Sequence, residues 1–255
     1  MTPIVEMDHV GVSYGTVEAL RDITFGFHAG EVVGVVGDNG AGKSTLLKVI
    51  TGFATPTSGK LRIEGHDIGV WNPRKAREHG IEIVYQDLAL VEDLSLWRNF
   101  FLGKELKWGR LSVGILAAHQ MREICARMLT QIGLTRINSV DVRASLLSGG
   151  ERQSLAITRA VYFGAKALLL DEPTAALAVR ETQRVFRSIK EAKDRGLAII
   201  YVDHNMAHVH PLADRIVVIR HGRISAVLDR NEVTLAELLE LVSVRDDVHP
   251  EYNTL

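Results

Sequence analysis

The feature that most constrains this chain is a glycine-rich loop, GDNGAGKST, at residues 37–45. It follows the uninterrupted apolar run EVVGVVG and precedes a segment, about 43–51, whose apolar residues recur at helical spacing. The pattern G-x-x-x-x-G-K-[ST] between a buried strand and a helix lets backbone N–H groups close around phosphate, and the helix N-terminus adds a favourable dipole. We therefore predict a nucleotide-binding loop in which Lys43 reaches the β- and γ-phosphates and the Ser44 hydroxyl ligates Mg²⁺. The residues predicted to bind the nucleotide are Gly37, Asp38, Asn39, Gly40, Ala41, Gly42, Lys43, Ser44 and Thr45.

The remaining apolar runs predict an α/β fold with a doubly wound, mostly parallel sheet. Residues 4–36 have the pattern of short strands, and a helix is expected at about 179–195. Continuous apolar runs are typical of strands buried on both faces of a parallel sheet, and their alternation with helices predicts the doubly wound arrangement. The later segment GKLRIEGHDI is expected to form a pair of strands. Three further segments are expected to be buried strands: IEIVYQD, KALLLDEP and LAIIYVDH.

The chain is predicted to be one nucleotide-binding domain, 1–255, with an inserted helical subdomain. Residues 88–160 lack strong β runs and carry helical patterns, so the insertion is placed there. The α/β core with its β subdomain is predicted at 1–87 and 161–225, and a C-terminal strand and helix at 226–255.

Local signals place several turns and helix ends. Gly52 is expected to stop the helix that follows the phosphate loop. The segment RIVVIRHGRISAVLD predicts a hairpin that turns at His221-Gly222, and Thr234 and Glu237 have the spacing of a capping box.

Composition excludes several classes of protein. The formal net charge is −1, so no global basic field exists for nucleic acid. The single cysteine, Cys125, excludes an intramolecular disulfide framework and, at helical spacing within MREICARMLTQIGL, is predicted to be a buried core thiol. The N-terminus lacks the pattern of a signal peptide, and no uncharged apolar run approaches the ~18 residues that span a bilayer.

Two adjacent carboxylates close the strand ALLLDE. Acids at the carboxyl end of a strand beside the phosphate loop lie where a metal and a water meet the nucleotide. Asp171 is therefore predicted in the Mg²⁺ shell, and Glu172 as the general base that polarises the attacking water. The alternative is a solvated strand end before the turn at Pro173.

Three further side chains are candidates on weaker signals. His204 closes the strand LAIIYVDH at the ligand edge and is a possible donor to the γ-phosphate. Gln86 ends IEIVYQ, where its amide oxygen could ligate Mg²⁺ or water, and Tyr14 could stack on a base. Asp203, His208 and His210 make a metal site near His204 conceivable, but their spacing fits no firm ligand pattern.

The segment LLSGGERQ opens a helix with two adjacent glycines. Ser148 and Glu151 have capping-box spacing, which fixes where the helix begins but does not explain Gly149 and Gly150. Residues without Cβ at a positive helix end let another group approach the backbone closely, most naturally an anion. The sequence thus predicts a second phosphate-binding surface, although one nucleotide needs only one loop.

Taken together, GDNGAGKST, YQD, LSGGERQ, LLLDEPTAAL and the strand-end His204 resemble an ATP-binding-cassette ATPase over essentially the full chain. The resemblance implies the P-loop NTPase fold with an antiparallel β subdomain. It also implies a clamp in which the phosphate loop of one cassette faces the LSGG signature of a second, so that Ser148, Gly149, Gly150 and Glu151 act on the partner's ATP. Under it, Tyr14 stacks on adenine, Glu172 is the catalytic base, His204 senses the γ-phosphate, and Gln86 links Mg²⁺ to the permease.

A finer resemblance, carried by EPTAALAVRET, DHNMAHVHPLADRI and LSLWRNFFLGKEL, is to the ATP-binding subunits of bacterial monosaccharide importers of the fructose/ribose type. It implies ATP and Mg²⁺ as ligands and a homodimer of cassettes. It also implies two transmembrane permease subunits, a periplasmic substrate-binding protein, and a peripheral position on the cytoplasmic face of the inner membrane. The apolar run LSLWRNFFL is expected to include the permease-docking surface or, alternatively, to pack in the core of the helical subdomain.

Three positions depart from the general family pattern. Ala178 stands where many cassettes have Asp, Glu151 replaces the commoner Gln, and Asp203 precedes His204 where Ser or Thr is common. Two alternatives stay open: an importer for branched-chain amino acids or lipid, and a chromosome or DNA-repair ATPase of the same superfamily. The short interval between phosphate loop and signature, without sustained heptads, and the near-zero charge disfavour the second.

Overall fold

The computed structural model describes residues 2–85, 90–108, 114–134, 137 and 139–243. These residues form two compact units. The first unit comprises Met1–Gln86, Gly164–Pro173 and Lys190–Leu255, and the second comprises Asp87–Phe163 and Thr174–Ile189.

The elements alternate along the chain as follows. The strands are β1 (Val5–Tyr14), β2 (Val17–Phe27), β3 (Val32–Val36), β4 (Ser58–Ile63), β5 (His66–Asp67), β6 (Ile81–Val84), β7 (Lys107–Trp108), β8 (Ile115–Leu116), β9 (Ala167–Asp171), β10 (Ala198–Val202), β11 (Arg215–Arg220) and β12 (Arg223–Asp229). The α-helices are α1 (Lys43–Ile50), α2 (Pro73–Glu78), α3 (Leu96–Phe101), α4 (Ala118–Gln131), α5 (Gly149–Tyr162), α6 (Val179–Asp194), α7 (Met206–Val209) and α8 (Leu235–Ser243).

The first unit is built on a six-stranded sheet in the order β12-β11-β3-β10-β9-β6. All of its pairings are parallel except β11 with β12, which confirms the predicted mostly parallel sheet. Every residue of β3 and β10 is buried, as their continuous apolar runs predicted. The strand β6 was expected to be buried, but among the described residues it lies at the sheet edge, where it pairs with β9, and its middle residues are half-buried.

A second, antiparallel sheet in the order β2-β1-β4-β5 completes the core of this unit. The helix α1 packs between the two sheets through Leu46, Leu47 and Ile50, which share one apolar cluster with residues of both. Burial of this amphipathic face, rather than helix propensity, stabilises an eight-residue helix. The fold therefore holds the start of α1, and with it the glycine-rich loop, in a fixed place.

The predicted turns and helix ends are present. Beyond α1, the N–H of Gly52 donates to Val49 O and that of Phe53 to Lys48 O, which together close a Schellman motif. His221 and Gly222 both have positive φ in the tight turn between β11 and β12. Thr234 and Glu237 form the expected capping box before α8.

The second unit has a core of its own, formed mainly by α3, α4 and α5. Leu96, Trp97, Phe100 and Phe101 are all nearly fully buried in it. The expectation that LSLWRNFFL forms a docking surface is therefore wrong for these four side chains, because they are buried against the helices of their own unit. The alternative, core packing, holds for them.

Cys125 lies at the centre of this core and is fully buried. Burial raises the pKa of its thiol to about 12, so the thiolate that would make it reactive does not form near neutral pH. Cys125 is a core residue, as its helical spacing predicted.

The sequence did not indicate the short hairpin of β7 and β8 in the second unit. Its strands have only two residues each and pair through Trp108 and Ile115, which are both exposed.

Among the described residues, no helix is both long enough and apolar enough to cross a membrane.

Candidate functional site

The glycine-rich loop turns the chain from β3 into α1 within six residues. Gly37 has a φ of +148°, and a Cβ there would lie 2.1 Å from the carbonyl oxygen of Ile219 in β11. Only glycine therefore lets the chain leave the sheet at this point. Asp38, Asn39 and Gly40 form the outer side of the loop and are exposed, so their backbone is open to a ligand.

Lys43 lies across the inside of this loop. Its side chain is 7% exposed, and its Nζ donates to the carbonyl oxygens of Gly37 at 2.6 Å and Asp38 at 2.9 Å. Burial lowers the pKa of Lys43, while nearby carboxylates, first that of Glu172, oppose the shift. The ammonium group is thus poorly hydrated and held by neutral carbonyls, which are weaker partners than the oxygens of a phosphate.

The two predicted carboxylates lie at the carboxyl end of β9. Burial, followed by the charge of Glu172, raises the pKa of Asp171, and Lys43 opposes this shift. Glu172 has a φ of +47°, a left-handed conformation that costs a residue with a Cβ about 1 to 2 kcal/mol. Its N–H still donates to Val202 O at 2.8 Å, so the strain is local. Such strain at a strand end is typical of functional sites.

His204 follows β10 and meets Glu172. The distance from His204 Nδ1 to Glu172 Oε1 is 3.0 Å. Both side chains line a cavity of about 350 Å³ beside the glycine-rich loop, so the structure brings three separately predicted sequence features to one place. Met206 also lines this cavity, and no sequence signal pointed to it. The cavity is lined by Gly37, Asp38, Asn39, Glu172, His204 and Met206.

Asp203, the unexplained departure next to His204, has a structural role. It is 3% exposed, accepts a hydrogen bond from the Tyr201 hydroxyl at 2.8 Å, and accepts another from the N–H of Asn205 at 2.9 Å. Its charge thus fixes the turn between β10 and α7, and with it the position of His204.

No group of three or more His, Cys, Asp and Glu side chains arranged to hold a metal is found in the part of the chain that the structure describes. His210, considered with Asp203 at the sequence level, instead places its Nε2 2.7 Å from Val233 O.

The other predicted nucleotide ligands lie around the loop. Ser44 and Thr45 are in the first turn of α1, where Ser44 is exposed and Thr45 half-buried. Tyr14 ends β1 and is 52% exposed, as stacking on a base requires. Gln86 lies outside the described residues.

In the second unit, the segment LLSGGERQ begins α5 with the predicted capping box. Ser148 Oγ accepts from the N–H of Glu151 at 3.4 Å, and Glu151 Oε2 accepts from the N–H of Ser148 at 2.9 Å. The other carboxylate oxygen of Glu151 accepts from Arg184 in α6 at 2.8 Å. Arg184 therefore neutralises the charge that distinguishes Glu151 from the commoner Gln.

The start of α6 explains Gly150. A Cβ on Gly150 would lie 2.7 Å from Cβ and 3.0 Å from Cα of Glu181, so the two helix ends are in van der Waals contact. A Cβ on Gly149 would meet only the terminal Cδ2 of Leu177, at 2.6 Å. The sequence predicted that an anion approaches these glycines, and this stays a prediction, because the atoms that lie against Gly150 are the Cα and Cβ of Glu181.

Sequence reasoning missed Glu181 and Arg184. One sequence signal could have identified Glu181. It stands three residues after Ala178, which is the spacing of a capping box, although Ala178 is not a polar N-cap residue. The N–H of Ala178 does donate to Glu181 Oε2 at 3.3 Å.

A phosphate loop between a buried strand and a helix, with an acidic strand end and a histidine beside it, defines a P-loop nucleotide-binding domain. A family model described as ABC transporter matches residues 20–175, which is more than half of the chain. The chain therefore belongs to the ABC transporter family.

Relatives match over almost the whole chain. The fructose import ATP-binding protein FrcA of Rhizobium meliloti is 40% identical over 94% of this chain and 94% of its own length. The xylose/arabinose import ATP-binding protein XylG of Sulfolobus acidocaldarius is 39% identical over 95% of each chain. The ribose import ATP-binding protein RbsA 2 of Escherichia coli O157:H7 is 36% identical over 94% of this chain but only 46% of its own length.

A solved structure agrees with this fold. The chain is similar to cbiO1 of Clostridium perfringens, described as part of the ABC transporter complex cbiONQ, with a TM-score of 0.79 and 26% identity over 95% of both chains. This likeness confirms the predicted P-loop NTPase fold class.

The contact between Gly150 and Glu181 predicts different costs for two neighbouring substitutions. Gly150→Ala should lower the free energy of unfolding by about 1 to 3 kcal/mol, because its methyl group overlaps backbone and Cβ atoms of α6. Gly149→Ala should be close to neutral, because the Leu177 side chain can rotate away. Denaturant unfolding of both variants measures the difference, and equal effects would contradict this explanation of Gly150.

The raised pKa of Asp171 predicts a pH-dependent effect of Asp171→Asn. Because burial makes the ionised carboxylate costly in the folded state, Asp171 destabilises the ligand-free protein above its folded pKa but not below its unfolded pKa. The variant should be more stable than the wild type at pH 7, and the difference should vanish as the pH falls below the ordinary carboxyl pKa. Thermal unfolding in the absence of nucleotide at both pH values tests this, and a destabilised variant at pH 7 would contradict it.

Proposed function

We propose that this chain is the ATP-hydrolysing subunit of an importer for a monosaccharide. The proposal of ATP hydrolysis rests mainly on the 3.0 Å contact between Glu172 and His204 beside the phosphate loop. Three import ATP-binding proteins for fructose, xylose/arabinose and ribose, each similar to 94% or more of this chain, support the cargo class.

In this proposal the loop binds the phosphates and Glu172 activates the water. The loop N–H groups and Lys43, on exchanging its carbonyl partners for phosphate oxygens, hold the β- and γ-phosphates. Glu172 accepts a proton from the water whose oxygen attacks the γ-phosphorus, and the bond from that phosphorus to the bridging oxygen of ADP breaks. His204 holds the carboxylate of Glu172 in place through its Nδ1, and its Nε2 donates toward the γ-phosphate when the ring carries both protons.

The residues near the loop also fit Mg²⁺. A half-buried carboxylate with a raised pKa beside a second carboxylate gains from a cation, and Asp171 is such a group. Its oxygen and the exposed Ser44 hydroxyl are the hard donors that Mg²⁺ prefers, and Gln86, which lies outside the described residues, is proposed as a third ligand from its sequence position alone. When bound there, Mg²⁺ would neutralise charge on the phosphates.

We further propose that two copies of the chain share each ATP. The first turn of α5 presents the Ser148 hydroxyl and the Gly149 and Gly150 N–H groups at the positive end of a 14-residue helix. A nucleotide held by the phosphate loop of a second copy supplies the anion that this turn is built to receive. Glu151 does not repel that anion, because Arg184 neutralises it.

Two transmembrane permease subunits would hold this pair at the cytoplasmic face of the inner membrane. A periplasmic substrate-binding protein would deliver the sugar to the permease. The near-zero net charge offers no surface field for nucleic acid, so DNA is not proposed as a partner.

Glu172→Gln is the most direct test of the proposed chemistry. Because glutamine cannot accept the proton, ATP hydrolysis should fall by about 10²- to 10⁴-fold. ATP binding should persist, because Lys43 and the loop are unchanged. Phosphate release and equilibrium dialysis with ATP measure the two quantities, and Glu191→Gln, an exposed acid in α6, is the matched control. Hydrolysis at the wild-type rate would rule out Glu172 as the base.

The same variant tests the cargo in cells that lack the native chain. Uptake of labelled fructose, xylose or ribose should be restored by the wild-type chain and not by Glu172→Gln. If cells that lack the chain still take up all three sugars at the normal rate but no longer take up labelled leucine, the monosaccharide assignment is contradicted. That result would favour an amino-acid importer.

A further inference from the structure

The hairpin of β7 and β8 has an apolar face that is open to solvent. Trp108 and Ile115 are cross-strand partners, so their side chains lie on the same face, and they are 67% and 79% exposed. Leu116, which follows Ile115 and points to the other face, is also exposed. A two-stranded hairpin is at best marginally stable by itself in water, and adjacent large apolar side chains that are exposed on it indicate a binding surface.

Trp108 differs from the two other tryptophans of the chain. Trp71 is buried, and its indole N–H donates to Ile50 O at 3.0 Å. Trp97 is buried as well, and its indole N–H donates to Asp141 Oδ1 at 2.9 Å. Trp108 instead exposes most of its ring, and an apolar ring with one polar N–H is the side chain most typical of the zone where a bilayer meets water.

The base of the hairpin is fixed to the core of the second unit. The N–H of Ala117 donates to Leu106 O at 2.9 Å, which continues the pairing of the two strands. Ala117 is buried at the start of α4, and Leu106 packs against the apolar cluster of this unit. The exposed side chains are therefore held on a fixed support, which lowers the entropy lost when they bind.

The charges of the hairpin segment are mainly positive, although the whole chain has a net charge of −1. The acid of this segment, Glu105, accepts a hydrogen bond from the N–H of Gly103 at 2.9 Å. Within residues 102–116 this one acid stands against three cations, Lys104, Lys107 and Arg110, of which Arg110 lies outside the described residues. Lys107 is exposed directly beside Trp108. A partner of complementary charge is therefore anionic.

We propose that the hairpin of β7 and β8 binds the surface of an anionic lipid bilayer. Trp108 and Ile115 enter the boundary between the headgroups and the acyl chains, and Lys107 stays with the anionic headgroups. The inference goes beyond the proposed function, in which the permease subunits hold the chain at the membrane. It adds a direct contact between this chain and lipid.

The small size of the surface favours lipid over a protein partner. A specific protein interface buries about 800 Å² on each partner around a well-packed core. The described part of the hairpin offers three large apolar side chains that are exposed, Trp108, Ile115 and Leu116. A bilayer needs no matching shape, so a small element that combines apolar and cationic side chains can bind it reversibly.

Binding of the full chain to lipid vesicles, without nucleotide, tests the inference. Co-sedimentation compares vesicles of phosphatidylcholine mixed with phosphatidylglycerol with vesicles of phosphatidylcholine alone. Trp108→Ala and Ile115→Ala remove apolar surface from the hairpin, and Lys107→Gln removes a cation. Val70→Ala and Lys190→Gln, which change exposed residues of the first unit, are the matched controls.

We expect the wild-type chain to bind the anionic vesicles and both control variants to bind equally well. Trp108→Ala should weaken binding about tenfold, because it removes a large apolar side chain from the boundary. Lys107→Gln should weaken binding about fivefold, the effect of one cation near an anionic surface. Brominated acyl chains should quench the tryptophan fluorescence of the wild type. Trp108→Phe should still bind but lose that quenching, because the two other tryptophans are buried.

Three results would overturn the inference. The first is no binding to either kind of vesicle, or equal binding to both kinds. The second is binding that Trp108→Ala and Ile115→Ala leave unchanged. The third is self-association without lipid that Trp108→Ala abolishes in sedimentation velocity, because a second copy would then cover the hairpin. Thermal unfolding and ATP hydrolysis check that each variant is folded. All three results leave the proposed function intact, because no residue of the hairpin takes part in the proposed hydrolysis.

Discussion

The candidate site depends on one constraint, the parallel arrangement of β3, β10 and β9. Parallel strands end at the same edge of a sheet, so whatever follows each strand meets there. The phosphate loop follows β3, His204 comes soon after β10, and Asp171 and Glu172 close β9. The strands are neighbours in the order β3-β10-β9, which places His204 and Glu172 within hydrogen-bond distance of each other beside the loop. Complete burial of β3 and β10 holds this edge rigid, and the local strain at Glu172 is supported by that framework.

The second unit answers the question raised by two glycines at a helix start. A capping box fixes where α5 begins, and Gly150 allows the first turn of α6 to pack directly against it. The approach of an anion to these glycines stays a prediction, since the atoms that lie against Gly150 are Cβ and Cα of Glu181 in the same unit. The two explanations are compatible, because Gly150 is needed for this packing while the Ser148 hydroxyl caps the start of the same helix.

Much of this could be predicted from the sequence because the signals were local. Continuous apolar runs identified β3, β9 and β10, capping-box spacing placed the starts of α5 and α8, and helical spacing predicted the burial of Cys125. The failures required tertiary contacts. The burial of β6 depends on whether the strand lies at the edge or in the centre of the sheet, which its own residues do not determine. The apolar residues of LSLWRNFFL are equally compatible with a core and with a docking surface. Asp203 appeared to be a charge near phosphate, yet Tyr201 and Asn205 make it a structural residue. Glu181 was missed because its role depends on which helix lies against Gly150.

In the proposed dimer, each ATP is shared between the phosphate loop of one copy and the first turn of α5 in another. Mixing two inactive variants tests it most directly. Glu172→Gln removes the base, and Ser148→Arg blocks the start of α5, so each homodimer should be inactive in phosphate release. A mixed dimer holds one site with both defects and one with neither, so the mixture should hydrolyse ATP. A mixture as inactive as its components, or full activity of Ser148→Arg alone, would contradict it.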